Sequence, residues 1–129
     1  MTLFSKIIAG EIPCYKVIEN EKFFAFLDIY PIQKGHVLVV PKIEVDKIFD
    51  VPNNYLSEIL IFAKPIAHAI EKSISCNRVS IVTLGLEVPH AHIHLIPINH
   101  TADMLPTNKK LKFSQEEFIE IQQQIISNL

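Results

Sequence analysis

The sequence contains very little arginine and has no surplus of basic residues. Its 129 residues include 12 lysine and arginine residues against 14 aspartate and glutamate residues, for a formal net charge of −2, and Arg78 is the single arginine. A nucleic-acid-binding surface needs clustered basic side chains, so we expect no nucleic-acid partner. With one arginine in the chain, we do not expect a bidentate arginine contact to phosphate, and backbone amides and imidazoles would have to bind a phosphate instead.

Long apolar runs and cysteine motifs are absent as well. No run of about 18 consecutive apolar residues occurs, so we expect no membrane-spanning segment. The two cysteines, Cys14 and Cys76, have no metal-binding spacing, and the first residues lack a charged segment followed by a long apolar one. These features predict a cytoplasmic protein with reduced thiols.

The residues that are present predict one α+β domain covering residues 1–129. Apolar runs bounded by turn residues predict strands at 14–19, 22–28, 36–40, 78–84 and 90–98. Helices are predicted at 3–9, from about 50 to 73, and from the capping box at 114–117 to about 126. Strands joined by short turns predict a five-stranded, mainly antiparallel sheet with a long central helix and an added C-terminal helix.

The predicted central helix has two apolar stripes. One follows the 3.6-residue period and consists of Leu56, Ile59, Leu60, Ala63, Ala67 and Ile70. The second consists of Ile61, Phe62, Ile66 and Ala69. The second stripe fits either the interface of a homodimer or packing beneath a loop, and the sequence does not choose between them.

Three of the six histidines alternate along one predicted strand. His90, His92 and His94 would share one face, because successive side chains of a strand point to opposite sides. A row of imidazoles has no packing role, whereas imidazole is a capable nucleophile, acid or base near neutral pH. A zinc site is the alternative, but one ion cannot use all three, and a pair would need a ligand such as His36.

Four segments together resemble the histidine triad (HIT) family of nucleotide-binding hydrolases and transferases, nearer its Hint-like branch. They are residues 4–13 (FSKIIAGEIP), 26–31 (FLDIYP), 35–42 (GHVLVVPK) and 90–96 (HAHIHLI). The resemblance covers about residues 3–98 and leaves residues 99–129 as a C-terminal extension.

The resemblance implies that a purine nucleotide binds with its α-phosphate at the triad. His92 would attack phosphorus, His94 would contact the phosphate and act as an acid for the leaving group, His90 would orient its neighbour, and His36 would complete the cluster. Asp28 would bind the ribose hydroxyls. The base would lie against a wall of Leu3, Phe4, Ile7, Phe26, Ile29 and Leu38. The scheme requires no metal and no cofactor, and family members usually form homodimers.

The sequence departs from the family pattern in the phosphate loop. Residues 83–89 (TLGLEVP) are a shortened version of it, with Leu86 where the family has Gln and Glu87 where it has Ser or Thr. Ile98 replaces a common basic residue, and Ser5 stands where zinc-bearing members have cysteine. A carboxylate near phosphate is repulsive, so Glu87 must turn away or be protonated.

The resemblance therefore implies a hydrolase that cleaves nucleoside phosphoramidates or related adenylylated compounds through a nucleotidyl-histidine intermediate. Three alternatives stay open: a dinucleoside polyphosphate hydrolase, a nucleotide-binding or regulatory module with little catalysis, and a zinc-binding protein.

Overall fold

Five strands form a single antiparallel sheet in the computed structural model, which describes residues 1–129. The strands are β1 (Lys16–Glu19), β2 (Phe23–Leu27), β3 (Val37–Pro41), β4 (Arg78–Val82) and β5 (Ile93–Ile98). Their spatial order is β1-β2-β3-β5-β4, and each neighbouring pair is antiparallel. The α+β fold with a five-stranded sheet is therefore confirmed.

Four α-helices accompany the sheet. They are α1 (Leu3–Ile8), α2 (Asn53–Leu56), α3 (Ile59–Ser73) and α4 (Gln115–Ser127). Short 3-10 helices occur at Ile48–Asp50 and Thr101–Met104. Not one of these helices has both the length and the apolar character needed to cross a bilayer.

The C-terminal helix forms where its capping signal predicts. The Ser114 hydroxyl accepts a hydrogen bond from the Glu117 backbone N–H, and the Glu117 carboxylate accepts one from the Ser114 N–H. This reciprocal pair satisfies two N–H groups that have no partner within the helix. The buried face of α4 consists of Phe118, Ile121 and Ile125, as the apolar spacing predicts.

The prediction of one continuous helix from about residue 50 to Ser73 is wrong, because the helix is interrupted between α2 and α3. A continuous helix would bond the Glu58 N–H to the Asn54 carbonyl. In the structure, that carbonyl accepts a hydrogen bond from Lys22 Nζ at 2.9 Å, and the Glu58 N–H bonds to the Tyr55 carbonyl instead. A lysine from the hairpin between β1 and β2 therefore interrupts the helix.

The alternation of side chains divides the strands between two apolar layers. On one face, Phe23, Ala25 and Leu27 of β2 join a large core shared with α3 and α4. On the other face, Phe24 and Phe26 join a smaller cluster with α1. Both layers cover β2 and β3, so every residue of these strands is buried. His36, His92 and His94 lie on the face of the sheet that packs against α1.

Only the last histidine of the triad lies within a strand. The predicted strand at 90–98 begins at Ile93, because the preceding residues bond elsewhere: the His90 N–H to the Val88 carbonyl and the Ala91 N–H to the Val45 carbonyl. His94 is paired with Leu38 of β3, which places it beside His36, the residue just before that strand.

Candidate active site

A cavity of about 350 Å³ opens on the α1 side of the sheet. Ten of the eleven residues that the sequence singles out for the site line it, all except His90. The ten are His36, His92, His94, Asp28, Leu3, Phe4, Ile7, Phe26, Ile29 and Leu38. Residues that are distant in sequence therefore meet at one pocket, although their individual roles stay predictions.

The His92 ring has a defined tautomer. Its Nδ1 lies 2.7 Å from the backbone carbonyl oxygen of His90. A carbonyl oxygen can only accept a hydrogen bond, so Nδ1 carries the proton and Nε2 has the lone pair. The ring is also held by Phe4, whose ring centroid is 4.9 Å away in an edge-on arrangement. Because His92 lines the cavity, Nε2 is the nitrogen available to a ligand.

His36 and His94 form a second oriented pair. The Ile32 backbone N–H donates to His36 Nδ1 at 3.1 Å, so the proton of a neutral His36 must sit on Nε2. His36 Nε2–H then donates to His94 Nδ1 at 2.9 Å. His94 consequently keeps its own proton on Nε2, where it can donate to a group in the cavity. The His92 and His94 ring centroids are 4.9 Å apart, so a nucleophile and a donor lie side by side.

All three rings are biased towards the neutral form. Burial, together with the charges of Lys110 and His92, lowers the pKa of His36 to about 3. Burial also lowers the pKa of His94 to about 4, with repulsion from His36 and His92 acting in the same direction. Burial lowers the pKa of His92 too, although its hydrogen bond to the His90 carbonyl opposes this. At neutral pH the cluster therefore presents uncharged imidazoles.

Asp28 lies at the end of β2, next to the imidazole pair. One carboxylate oxygen accepts a hydrogen bond from the Tyr30 N–H at 2.8 Å, and the other lies 3.6 Å from His36 Nε2. The remaining lone pairs of the carboxylate are free to accept hydrogen bonds from hydroxyl groups in the cavity.

His90 contributes its backbone to the site rather than its ring. The buried ring donates through Nε2–H to the Pro41 carbonyl at 2.8 Å, and its Nδ1 lies 2.7 Å from the Thr2 hydroxyl. The orienting role of His90 stays a prediction; the contact relevant to it is the hydrogen bond from the His92 ring to the His90 carbonyl. The expected row of rings on one strand face does not form, because the chain bends at His90.

A chain of hydrogen bonds extends from His90 into α1. The Thr2 hydroxyl lies 2.7 Å from that of Ser5, and the Ser5 hydroxyl donates to the Glu44 carboxylate. Ser5 is the position at which the family's zinc-bearing members have cysteine. Hydroxyl groups that bond to one another do not provide the thiolate and imidazole ligands that structural zinc prefers, so these residues do not fit zinc.

Asp28, His36 and His94 are the other group of possible metal ligands, with their nearest ligand atoms all within 4.8 Å of one another. A metal ion at His36 would have to bind Nε2, which carries the proton. Moving that proton to Nδ1 would bring it against the Ile32 N–H. The hydrogen-bonding pattern therefore opposes a metal at this group.

The shortened loop before the triad forms part of the cavity wall. Leu84, Gly85, Leu86, Glu87 and Val88 all line the cavity, and the Leu86 side chain is 92% exposed. Gly85 has a φ of +72°, a left-handed conformation that other residues adopt with strain. None of the backbone N–H groups of residues 84–88 donates a hydrogen bond within the protein. These amides therefore have no acceptor within the protein.

The C-terminal extension also contributes to the cavity, which the sequence did not predict. Met104, Pro106 and Lys110 line the same cavity as the histidines. No local pattern in residues 99–113 indicates this contact, since it depends on how the segment folds back over the sheet.

The chain matches the HIT domain over residues 9–101, and it belongs to the HIT family. Adenosine 5'-monophosphoramidase HNT1 of Saccharomyces cerevisiae is 38% identical over 100 residues, a match that spans 74% of this chain and 61% of the yeast protein. An uncharacterized HIT-like protein of Borreliella burgdorferi is 33% identical over 135 residues, covering 98% of this chain and 97% of that protein. The crystal structure of a Hit-like protein from Bartonella henselae superposes with a TM-score of 0.85 at 26% identity, covering 99% of this chain and 96% of that one.

Proposed function

We propose that this chain is a nucleotide hydrolase that cleaves nucleoside phosphoramidates or related adenylylated compounds through a covalent intermediate on His92. The proposal depends on the hydrogen bond from His92 Nδ1–H to the His90 carbonyl, which leaves the Nε2 lone pair for the cavity. A neutral imidazole nitrogen with a free lone pair is a nucleophile near neutral pH. The phosphoramidase name of the yeast relative supports the same substrate class.

The reaction proceeds in two displacements at phosphorus. First, His92 Nε2 bonds to the α-phosphorus while the bond from phosphorus to the leaving nitrogen breaks. The amine takes a proton from solvent rather than from His94, because the pKa of His94, about 4, leaves that ring neutral and a poor acid. Water then attacks phosphorus and gives up a proton to solvent, the bond to His92 breaks with its electron pair returning to Nε2, and a nucleoside monophosphate is released. Catalysis of this kind depends mainly on positioning and charge stabilisation.

The other groups around the cavity have supporting roles in this proposal. His94 Nε2–H and the free N–H groups of residues 84–88 donate to the phosphoryl oxygens, where negative charge accumulates. Asp28 accepts hydrogen bonds from the ribose hydroxyls. The purine base packs against the apolar wall that α1 and β2 provide, where Phe4 and Phe26 contact each other with centroids 5.6 Å apart.

A nucleotide-binding module with little catalysis is the second candidate. Glu87 lines the cavity, and Leu86 occupies a position where the family has a hydrogen-bonding side chain. A carboxylate that faces a phosphate would slow nucleophilic attack by repulsion. This candidate predicts nucleotide affinity without turnover.

The experiment that separates the two candidates compares wild type with His92→Ala, using adenosine 5'-phosphoramidate as substrate. We expect wild type to release AMP, and wild type quenched in alkaline denaturant, in which a phosphorus–nitrogen bond to histidine survives, to carry one adenylyl group that peptide mapping assigns to His92. His92→Ala should lose turnover but retain nucleotide affinity by calorimetry. His68→Ala, which removes an exposed histidine of α3, is the matched control.

Wild type that binds the nucleotide but forms neither AMP nor an adduct would overturn the hydrolase proposal in favour of the binding module. Loss of turnover on treatment with a chelator would instead favour the zinc-dependent alternative.

A further inference from the structure

Lys110 is the only lysine or arginine among the 26 residues that line the cavity. The same cavity contains two carboxylates, those of Asp28 and Glu87. The ammonium group of Lys110 is therefore the one permanent positive charge that a bound anion would meet there. The residue belongs to the C-terminal extension, beyond the segment matched by the HIT domain.

Specific hydrogen bonds hold the extension against the loop between β2 and β3. Gln33 Nε2 donates to the Asp103 carbonyl at 2.9 Å, and the Leu111 N–H donates to the Pro31 carbonyl at 2.8 Å. Lys110 Nζ donates to the Pro106 carbonyl at 2.8 Å. An ammonium group has three N–H donors, so two remain free for a ligand.

The charge of Lys110 acts on one side of the cluster. It contributes, after burial, to the low pKa of His36, and it is a weaker contributor to the low pKa of His94. The hydrogen bonds place it at the same end: the Leu111 N–H bonds to the Pro31 carbonyl, and the other half of that peptide bond, the Ile32 N–H, donates to His36 Nδ1. The His94 ring centroid lies 5.1 Å from that of His36 and 4.9 Å from that of His92, so Lys110 lies at the His36 end of the cluster and the nucleophile at the other.

The in-line geometry of phosphoryl transfer relates the position of Lys110 to the leaving group of the substrate. In phosphoryl transfer the attacking and leaving atoms lie roughly in line, on opposite sides of phosphorus. With His92 as the attacking group, the leaving group departs on the side away from it. A cation on that side meets the leaving group.

We propose that Lys110 binds the leaving group and selects substrates whose leaving group carries a negative charge, from a carboxylate or a phosphate. This inference rests on the proposed hydrolase function and names the substrate class of the same site. Lys110 acts as a specificity-determining residue, since an ammonium group attracts such an anion as a point charge. It supplies the positive charge that the phosphate loop, with Leu86 and Glu87, does not provide.

The test uses two substrates that differ in one charge. They are the adenosine 5'-phosphoramidates of glycine, with a free carboxylate, and of glycinamide, which is neutral. We expect Lys110→Met to lower the ratio of kcat/KM for the charged over the neutral substrate by about fivefold, the effect of one exposed ion pair. Lys110→Arg should retain most of the preference. ADP, with phosphate as the leaving group, shows whether a phosphate or a carboxylate is the preferred anion.

Lys109→Met is the matched control, because Lys109 is the adjacent exposed lysine and does not line the cavity. It should keep the wild-type ratio. A ratio unchanged in Lys110→Met, or one lowered equally in Lys109→Met, would overturn the inference.

If the chain is not a hydrolase, a binding measurement still tests the role of Lys110. If wild type turns over neither phosphoramidate, the hydrolase proposal fails, and the dissociation constants of the two compounds then test Lys110. Wild type should bind the charged compound more tightly, and Lys110→Met should lose that preference. Equal affinities in wild type and variant would reject the role of Lys110 independently of catalysis.

Discussion

Acidification should destabilise this protein through the buried imidazoles of its cavity. The pKa values of His36, about 3, and of His94, about 4, lie below the ordinary value of 6.5. As the pH falls below 6.5, the unfolded chain binds protons at these positions while the folded chain does not. The folded state therefore has its full free energy of unfolding above pH 6.5, and part of that free energy is lost progressively as the pH falls towards the pKa values of His36 and His94 in the folded chain.

The size of the loss follows from the same shifts. Between about pH 8 and about pH 5, each of the two histidines should lower the free energy of unfolding by about 2 kcal/mol. His92, whose pKa is also lowered by burial, adds to the loss in the same direction. Urea-induced unfolding followed by circular dichroism at the two pH values measures the difference.

His94→Asn isolates one part of this effect. The amide oxygen of Asn still accepts a hydrogen bond from His36 Nε2–H, but the side chain does not titrate in this range. The loss of stability between the two pH values should therefore shrink by about 2 kcal/mol in the variant. His68→Asn, on the exposed face of α3, controls for removal of an imidazole elsewhere. An equal loss in wild type and His94→Asn would show that burial does not hold His94 neutral.

Three further predictions concern the support of the site, its wall and its assembly. Ser5→Ala breaks the hydrogen-bond chain that reaches His90 from α1, so kcat for adenosine 5'-phosphoramidate should fall several-fold in steady-state kinetics while KM changes little. An equal fall in kcat for Ser57→Ala, which changes an exposed serine, would contradict this prediction. Phe26→Ala removes a side chain that is only 4% exposed and should lower the free energy of unfolding by about 3–5 kcal/mol in urea titrations, whereas a loss below about 1 kcal/mol would mean that the cluster next to α1 repacks. We expect wild type to sediment as a homodimer at micromolar concentration. Ile61 of α3 is 71% exposed, and Ile61→Glu should shift the equilibrium towards monomer, whereas a monomeric wild type would refute the prediction.

Local sequence signals predicted most of the elements. The aromatic and β-branched runs of β2 and β3 and the capping box of α4 act within a few residues, so periodicity and capping rules find them. The break before α3 escaped these rules, because its cause is a contact from Lys22, 32 residues away from Asn54. The start of β5 was misplaced for a similar reason, since the Ala91 N–H bonds to the distant Val45 carbonyl.

The candidate site was predictable as a set of residues but not as an arrangement. The spacing of the histidines and the family resemblance over about residues 3–98 identified ten residues that line one cavity. That His90 contributes a carbonyl while its ring turns towards Pro41 could not be read from the alternation, which assumes an extended strand throughout.

The sequence by itself determined which side chains are available: three closely spaced imidazoles, a carboxylate at the end of an aromatic strand, and an apolar wall. The tertiary structure decided what each of them can do. The His36–His94 hydrogen bond joins residues 58 apart, and the bond from Gln33 that fixes the C-terminal extension spans 70. Protonation, tautomer and the position of Lys110 depend on burial and on such long-range contacts, which no local pattern of residue types encodes.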